Sequence, residues 1–139
     1  MAYVNASDSY HLMKPYGEVA SYLNKVKRLV SQGDFKIAER EDKNLPFMRI
    51  YNLTGNKKRC SEMICSLQPP DFLHAVPSRM EGNEGHELFV FCRKHVLYRV
   101  MASSPEEVWV YYKFDLIGES FTVVVSFHEA EREPEFPFQ

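Results

Sequence analysis

No stretch of this chain approaches the roughly 18–20 consecutive apolar residues that a membrane-crossing helix needs. Cysteine is scarce too, at three residues in 139, and there is no internal repeat or low-complexity tract. Each shortage removes a class of protein. Without a long apolar run there is no membrane helix to expect. Residues 1–14 contain no basic segment followed by an apolar one, so no secretion signal is expected, and the expected location is cytoplasmic. In that setting Cys60, Cys65 and Cys92 are expected to be reduced thiols, and their spacing makes no zinc signature. The triplets Asn5-Ala6-Ser7 and Asn52-Leu53-Thr54 then match a glycosylation acceptor by chance. An excess of positive charge is also missing. The net charge is −2 and the pI about 6.2, whereas domains that bind nucleic acid by overall charge sit above about 9. A local cationic site stays open; a global one does not.

What is present points to one globular unit. A hydrophobic fraction of 45% with 14% aromatics supports a core and argues against disorder. Composition divides the chain into an irregular arm (residues 1–15), a single domain (residues 16–129) and a flexible acidic, proline-containing tail (residues 130–139). Val19, Leu23, Val26, Leu29 and Val30 recur at three- and four-residue spacing, which predicts a half-buried helix from Glu18 to Gln32 with Gly33 as its C-terminal stop. Lys25, Lys27 and Arg28 between them have the ordinary reading of a solvated helix face. Phe35 to Arg40 alternates as a short strand. Residues 42–53 are ambiguous, with a short helix after Pro46 as one option. Thr54 then reads as the N-cap of a second helix bearing Cys60, Met63, Ile64 and Leu67, ended by Pro69-Pro70. Asp71 to Pro77 reads as a helical turn and loop, and residues 81–86 as a polar loop. Strands are predicted at Leu88–Cys92, Val96–Met101, Val108–Ile117 and Phe121–His128. The fold class is therefore α+β, with two N-terminal helices packed on one face of a mainly antiparallel sheet.

The last hairpin carries the functional expectation. Side chains alternate across a strand, so Val108, Val110, Tyr112, Phe114 and Leu116 share one side while Trp109, Tyr111, Lys113 and Asp115 share the other. In the second strand Phe121, Val123, Val125 and Phe127 alternate with Thr122, Val124, Ser126 and His128. A two-residue turn at Gly118-Glu119 sets Leu116 facing Phe121 and puts both apolar sets on one side. That register brings Tyr111 opposite Ser126 and Trp109 opposite His128. Tyr111, Lys113 and His128 then share the outer face.

Those side chains suit phosphodiester cleavage without a metal or other cofactor. The reaction needs a base for the ribose 2′-hydroxyl, an acid for the leaving 5′ oxygen and cations around the phosphate. Histidine serves as acid or base near neutrality, lysine neutralises phosphate, and Trp109 offers a stacking surface for an unpaired base. Ser126, Arg93 and Arg79 are further substrate-binding candidates. The plainer alternative is that any half-exposed sheet has polar residues on its outer face. His86, His95 and His128 lack the paired spacing of a metal site, and Cys92 reads as packing rather than as a nucleophile.

Four stretches, in order, resemble the MqsR family of bacterial type II toxins, mRNA interferases with a RelE-like fold: Leu23–Gly33, Leu67–His74, Val110–Lys113 and Val124–Glu129. The resemblance implies that Tyr111 and His128 match a functional tyrosine and lysine of the family, and that His74 matches a lysine in its "DFYK" stretch. Histidine thus stands for lysine at both His74 and His128, and Phe89 stands where the family has a glutamine. It further implies an endoribonuclease acting on mRNA through His128, His74, Tyr111 and Lys113. A cognate antitoxin protein is the expected partner, with no membrane and with a homodimer left open. The runner-up expectation is a catalytically inactive RNA- or protein-binding module on the same scaffold.

Overall fold

The computed structural model describes residues 11–79 and 81–139. Most of the arm expected at residues 1–15, with the Asn5 triplet, lies outside them, as does Met80. The elements run α1 (Tyr16–Ser31), β1 (Phe35–Ile37), α2 (Asn44–Ile50), α3 (Lys57–Cys65), a 3-10 turn (Pro69–Asp71), β2 (Phe72–Pro77), β3 (Glu87–Leu97), β4 (Glu106–Ile117) and β5 (Phe121–Glu129). The five strands form one sheet in the order β1-β5-β4-β3-β2, antiparallel except where β1 runs parallel to β5. The α+β class holds, with three α-helices among the described residues rather than two. Among the described residues no helix is long and apolar enough to cross a membrane.

Alternation explains the core. Val19, Leu23 and Val26 of α1, Phe47 of α2 with Tyr51 just beyond its end, and Cys60, Met63 and Ile64 of α3 join Phe89, Phe91, Val110, Tyr112, Phe114 and Phe127 of the sheet in one buried cluster. Tyr22 stacks on Phe89 at 3.8 Å, and Phe47 meets Phe127 edge-on at 5.5 Å. The α1 helix ends as its sequence predicts: Gly33 takes φ +82°, and its N–H and that of Asp34 bond back to Val30 and Leu29. The cap of α3 is Asn56, not Thr54, with the Asn56 side chain accepting from the Arg59 N–H at 3.1 Å.

Tertiary pairing overrides local signals in two segments. Residues 72–77, within the stretch expected to be a helical turn and loop, form β2 against β3, with Phe72 opposite Phe91 and Pro77 opposite Glu87. The two strands expected at Leu88–Cys92 and Val96–Met101 are one continuous strand ending at Leu97, with residues 98–101 outside it. Arg93, Lys94 and His95 fit inside it because each finds a partner. Arg93 reaches Asp71 at 3.2 Å, Lys94 lies 5.0 Å from the Trp109 ring, and His95 bonds the Tyr112 hydroxyl at 2.7 Å.

The β4–β5 hairpin corrects the predicted register twice. Its loop has three residues, since Ile117 pairs with Phe121, and Gly118 takes φ +60°. An extra residue, Val125, then interrupts β5, because Phe114 faces Val124 while Lys113 faces Ser126. Near the turn the apolar set is therefore not Phe121, Val123 and Val125; Val124 enters the core with Phe127. Beyond the bulge the two one-residue shifts add to two and cancel in parity. Tyr111 sits opposite His128, rather than opposite Ser126, and still on the same face.

Asn44 holds this bulge. β1 ends at Ile37, and among the described residues no strand pairs with β5 beyond Val124 on that edge. The buried Asn44 amide takes its place, donating to the carbonyls of Ala38 (2.8 Å) and Val125 (3.0 Å) and accepting from the Phe127 N–H (2.9 Å). Asn44→Ala is expected to destabilise the fold by about 3 kcal/mol, because buried backbone groups lose their partners. Urea unfolding measures this, and an unchanged midpoint would show that the amide does not hold the bulge.

His95 supplies a second test. Burial lowers its pKa from 6.5 to about 4, helped by Arg59 and Arg93. Below 6.5 the unfolded chain takes up a proton that the folded chain refuses, so this group makes stability fall as pH drops from 6.5 towards 4 and has no effect above that window. The acid slope of the urea midpoint should be shallower in His95→Gln than in the unmodified protein; equal slopes would remove His95 as its source.

Candidate active site

Two cross-strand rows build the outer face. In the first, His74 of β2, Val90 of β3, Lys113 of β4 and Ser126 of β5 lie side by side. In the second, two residues along, Cys92, Tyr111 and His128 do the same. Directly opposed residues of an antiparallel pair project to one side, so the sequence-predicted group His74, Tyr111, Lys113, Ser126 and His128 is assembled on a single surface. All five line one cavity of about 960 Å³.

The Tyr111 and His128 rings stack with centroids 5.3 Å apart and planes 21° from parallel. Lys113 is only 3% exposed, and its ammonium lies 5.9 Å from the Tyr111 ring centre, within reach of a cation–π attraction. His128 is 8% exposed, and its Nδ1 lies 3.0 Å from the Glu129 carbonyl oxygen. A carbonyl only accepts, so Nδ1 carries the proton in that bond and Nε2 keeps the lone pair. Burial lowers the His128 pKa below its usual value, Arg40 and Lys43 lower it further, and the Glu129 carbonyl and Glu131 oppose them. At neutral pH the imidazole is therefore the neutral tautomer with a basic Nε2.

Two cations in the cavity wall carried no sequence signal. The segment between β1 and α2 wraps the edge of β5 and brings in Arg40 and Lys43. Arg40 donates to the Ser126 hydroxyl at 2.9 Å, across 86 positions of chain. Nothing in the local spacing of Arg40 announces that contact; it depends on β1 pairing with β5. His11 was missed as well, and its ring stacks on His74 at 3.6 Å.

Other candidates fall elsewhere. Arg93 pairs with Val110 and so projects from the helix-covered face, where it holds Asp71. Arg79 is exposed beyond the end of β2, outside the cavity lining. Trp109 shares the site face, but its ring is half-buried between Lys94 and Phe136 (5.7 Å). Burial pushes the Cys92 thiol up to about 12, which keeps it protonated and inert. His86 bonds Asp115 at 2.8 Å and His95 faces the core, so neither joins His128; among the described residues no group of three or more His, Cys, Asp or Glu side chains could hold a metal ion. From the tail, Phe138 packs with its ring 6.0 Å from that of Phe72 and 5.2 Å from that of Tyr16.

An NMR titration of the imidazole resonances should find the His128 midpoint below that of an ordinary solvent-exposed histidine, with proton uptake at Nε2. A midpoint at or above 6.5 would mean that the ring is not desolvated as described.

Comparison with known proteins adds no relative: no protein-family model, curated protein or solved structure matches the chain.

Proposed function

We propose that this chain is a metal-independent endoribonuclease, an mRNA interferase toxin of a type II toxin–antitoxin pair on an MqsR-like, RelE-type scaffold. The observation that carries this reading is the stacked Tyr111–His128 pair with the buried Lys113 beside it, over a cavity wide enough for a nucleotide. In this reading His128 Nε2 takes the proton of the ribose 2′-hydroxyl as its oxygen attacks phosphorus. The bond from phosphorus to the 5′ oxygen breaks, and an acid returns a proton to that oxygen. The products are a 2′,3′-cyclic phosphate and a 5′-hydroxyl. Lys113 and Arg40 balance the charge that builds on the phosphate.

Strand spacing separates the acid candidates. Tyr111 and Lys113 stand on the strand next to His128. His74 is three strands away, about 14 Å at the usual interstrand distance. The leaving oxygen is better served by Tyr111 or Lys113, and His74, stacked on His11, suits a flanking nucleotide. Cytoplasmic action and capture by a cognate antitoxin belong to the same proposal.

The test is incubation of the purified full-length protein with a long mRNA, with end-group analysis of the fragments. His128→Ala and Tyr111→Phe are each expected to slow cleavage by about 10²–10⁴-fold, the usual contribution of a positioned acid or base. Equal cleavage by the double variant would refute the assignment. A second reading, an inactive RNA- or protein-binding module, is favoured by the tail that covers the cavity and by the net charge of −2. Growth arrest on expression that His128→Ala abolishes would count against that module.

A further inference from the structure

The cavity over the outer face has a roof as well as a floor, and the roof is the chain's own C-terminal segment. The Ala130 N–H bonds the Trp109 carbonyl at 2.8 Å, which turns the chain across the sheet. From there residues 131–137 line the cavity opposite Tyr111, Lys113 and His128. Glu131 forms an ion pair with Lys43, Phe136 lies against the Trp109 ring, and Phe138 is anchored on Phe72. The segment carries Glu131, Glu133 and Glu135 with Arg132 among them, and anionic groups in series beside a flat ring on an aromatic platform are also the chemistry of single-stranded nucleic acid. The charged part of the cover has an exposed end: the Glu131 side chain is 65% exposed and that of Lys43 28%, so the pair stays open to solvent on the Glu131 side, where salt screens it.

We propose that residues 131–136 lie along the path of a bound RNA strand, holding Lys43 as a phosphate subsite and Trp109 as a base subsite, so that the chain blocks its own site until this strap lifts. The proposal rests on the RNA-cleaving reading of the site and adds its regulation. A strap that occupies the site most of the time lowers apparent affinity by the fraction of molecules left open. Truncating the tail would also remove Phe138 from the apolar cluster, so the informative variant keeps the whole chain and carries Glu131→Gln, Glu133→Gln, Glu135→Gln and Phe136→Ala.

The probe is a fluorescent single-stranded RNA of about ten nucleotides, with every 2′-hydroxyl methylated so that it cannot be cleaved, and binding is read by anisotropy at low salt. The strap variant is expected to bind it about ten-fold more tightly than the unmodified protein, and adding Lys43→Ala and Trp109→Ala should abolish the gain. A control with Glu62→Gln, Glu84→Gln and Glu119→Gln neutralises as many carboxylates away from the cavity. An equal gain in that control, a gain that survives Lys43→Ala and Trp109→Ala, or affinities within about two-fold of each other would overturn the strap. No binding by any variant would overturn it too, and binding of a protein partner alone would give that result. Because the probe is inert, tighter binding without any mRNA cleavage upholds the strap while refuting the endonuclease. Cleavage by both proteins at equal affinity does the reverse.

Discussion

The Asn44 amide at the edge of β5 sets the geometry on which the site depends. Where β1 stops, a strand edge in the protein interior would carry unpaired backbone groups, a cost that folded proteins avoid. One side chain meets the carbonyl of Val125 and the N–H of Phe127, and with them the single extra residue of the bulge. A one-residue slip in this hairpin would turn every following side chain of β5 to the opposite face. Phe127 would leave the core and His128 would enter it. The same turn of chain that delivers Asn44 also carries Arg40 to Ser126 and Lys43 to the rim. Strand register, core packing and the cationic wall of the cavity thus share one mechanical origin.

Burial then divides the histidines by role. His95 faces the core and is kept neutral by desolvation, with the Tyr112 hydroxyl as its partner. His128 is desolvated on the other face, but its Nδ1 is engaged by a carbonyl, which leaves the second nitrogen as the basic one. His86 is tied to the buried Asp115 carboxylate, which also accepts from Asn83 and so pins the polar loop before β3. Ring chemistry is the same in all three; the partner and the face differ.

The balance of charge at the cavity explains how an acidic protein holds a cluster of cations. The floor holds Lys113 and the wall Arg40 and Lys43, and the acidic residues that give the chain its net charge of −2 include those of the segment above them. Average charge says little about a site when the opposing charges are neighbours in space and distant in sequence.

Some of this was legible in the residues alone. The 3.6-residue period of Val19 to Val30 located α1, and Gly33 located its end. The two-residue period of Val108 to Leu116 separated a core face from one bearing Tyr111 and Lys113. These are local properties, written wherever a side chain repeats at the pitch of its own backbone. The strand character of His74 and the continuity of β3 through Arg93-Lys94-His95 were not legible, because partners distant in the chain outweigh weak local preferences; the cap of α3 is a local matter, in which Thr54 and Asn56 are both good N-cap residues and only the backbone shows which one accepts from the Arg59 N–H. The pairing of Tyr111 with His128 was beyond reach for the same reason. It depends on a three-residue turn and a bulge that Asn44 holds from 81 positions away, and contacts of that span exist only once the sheet has closed. The sequence by itself determined that Tyr111, Lys113 and His128 belong on one outer face, through the two-residue period of their strands; the tertiary structure decided which of them meet, brought His74 among them, turned Val124 into the core and set what lies over the site.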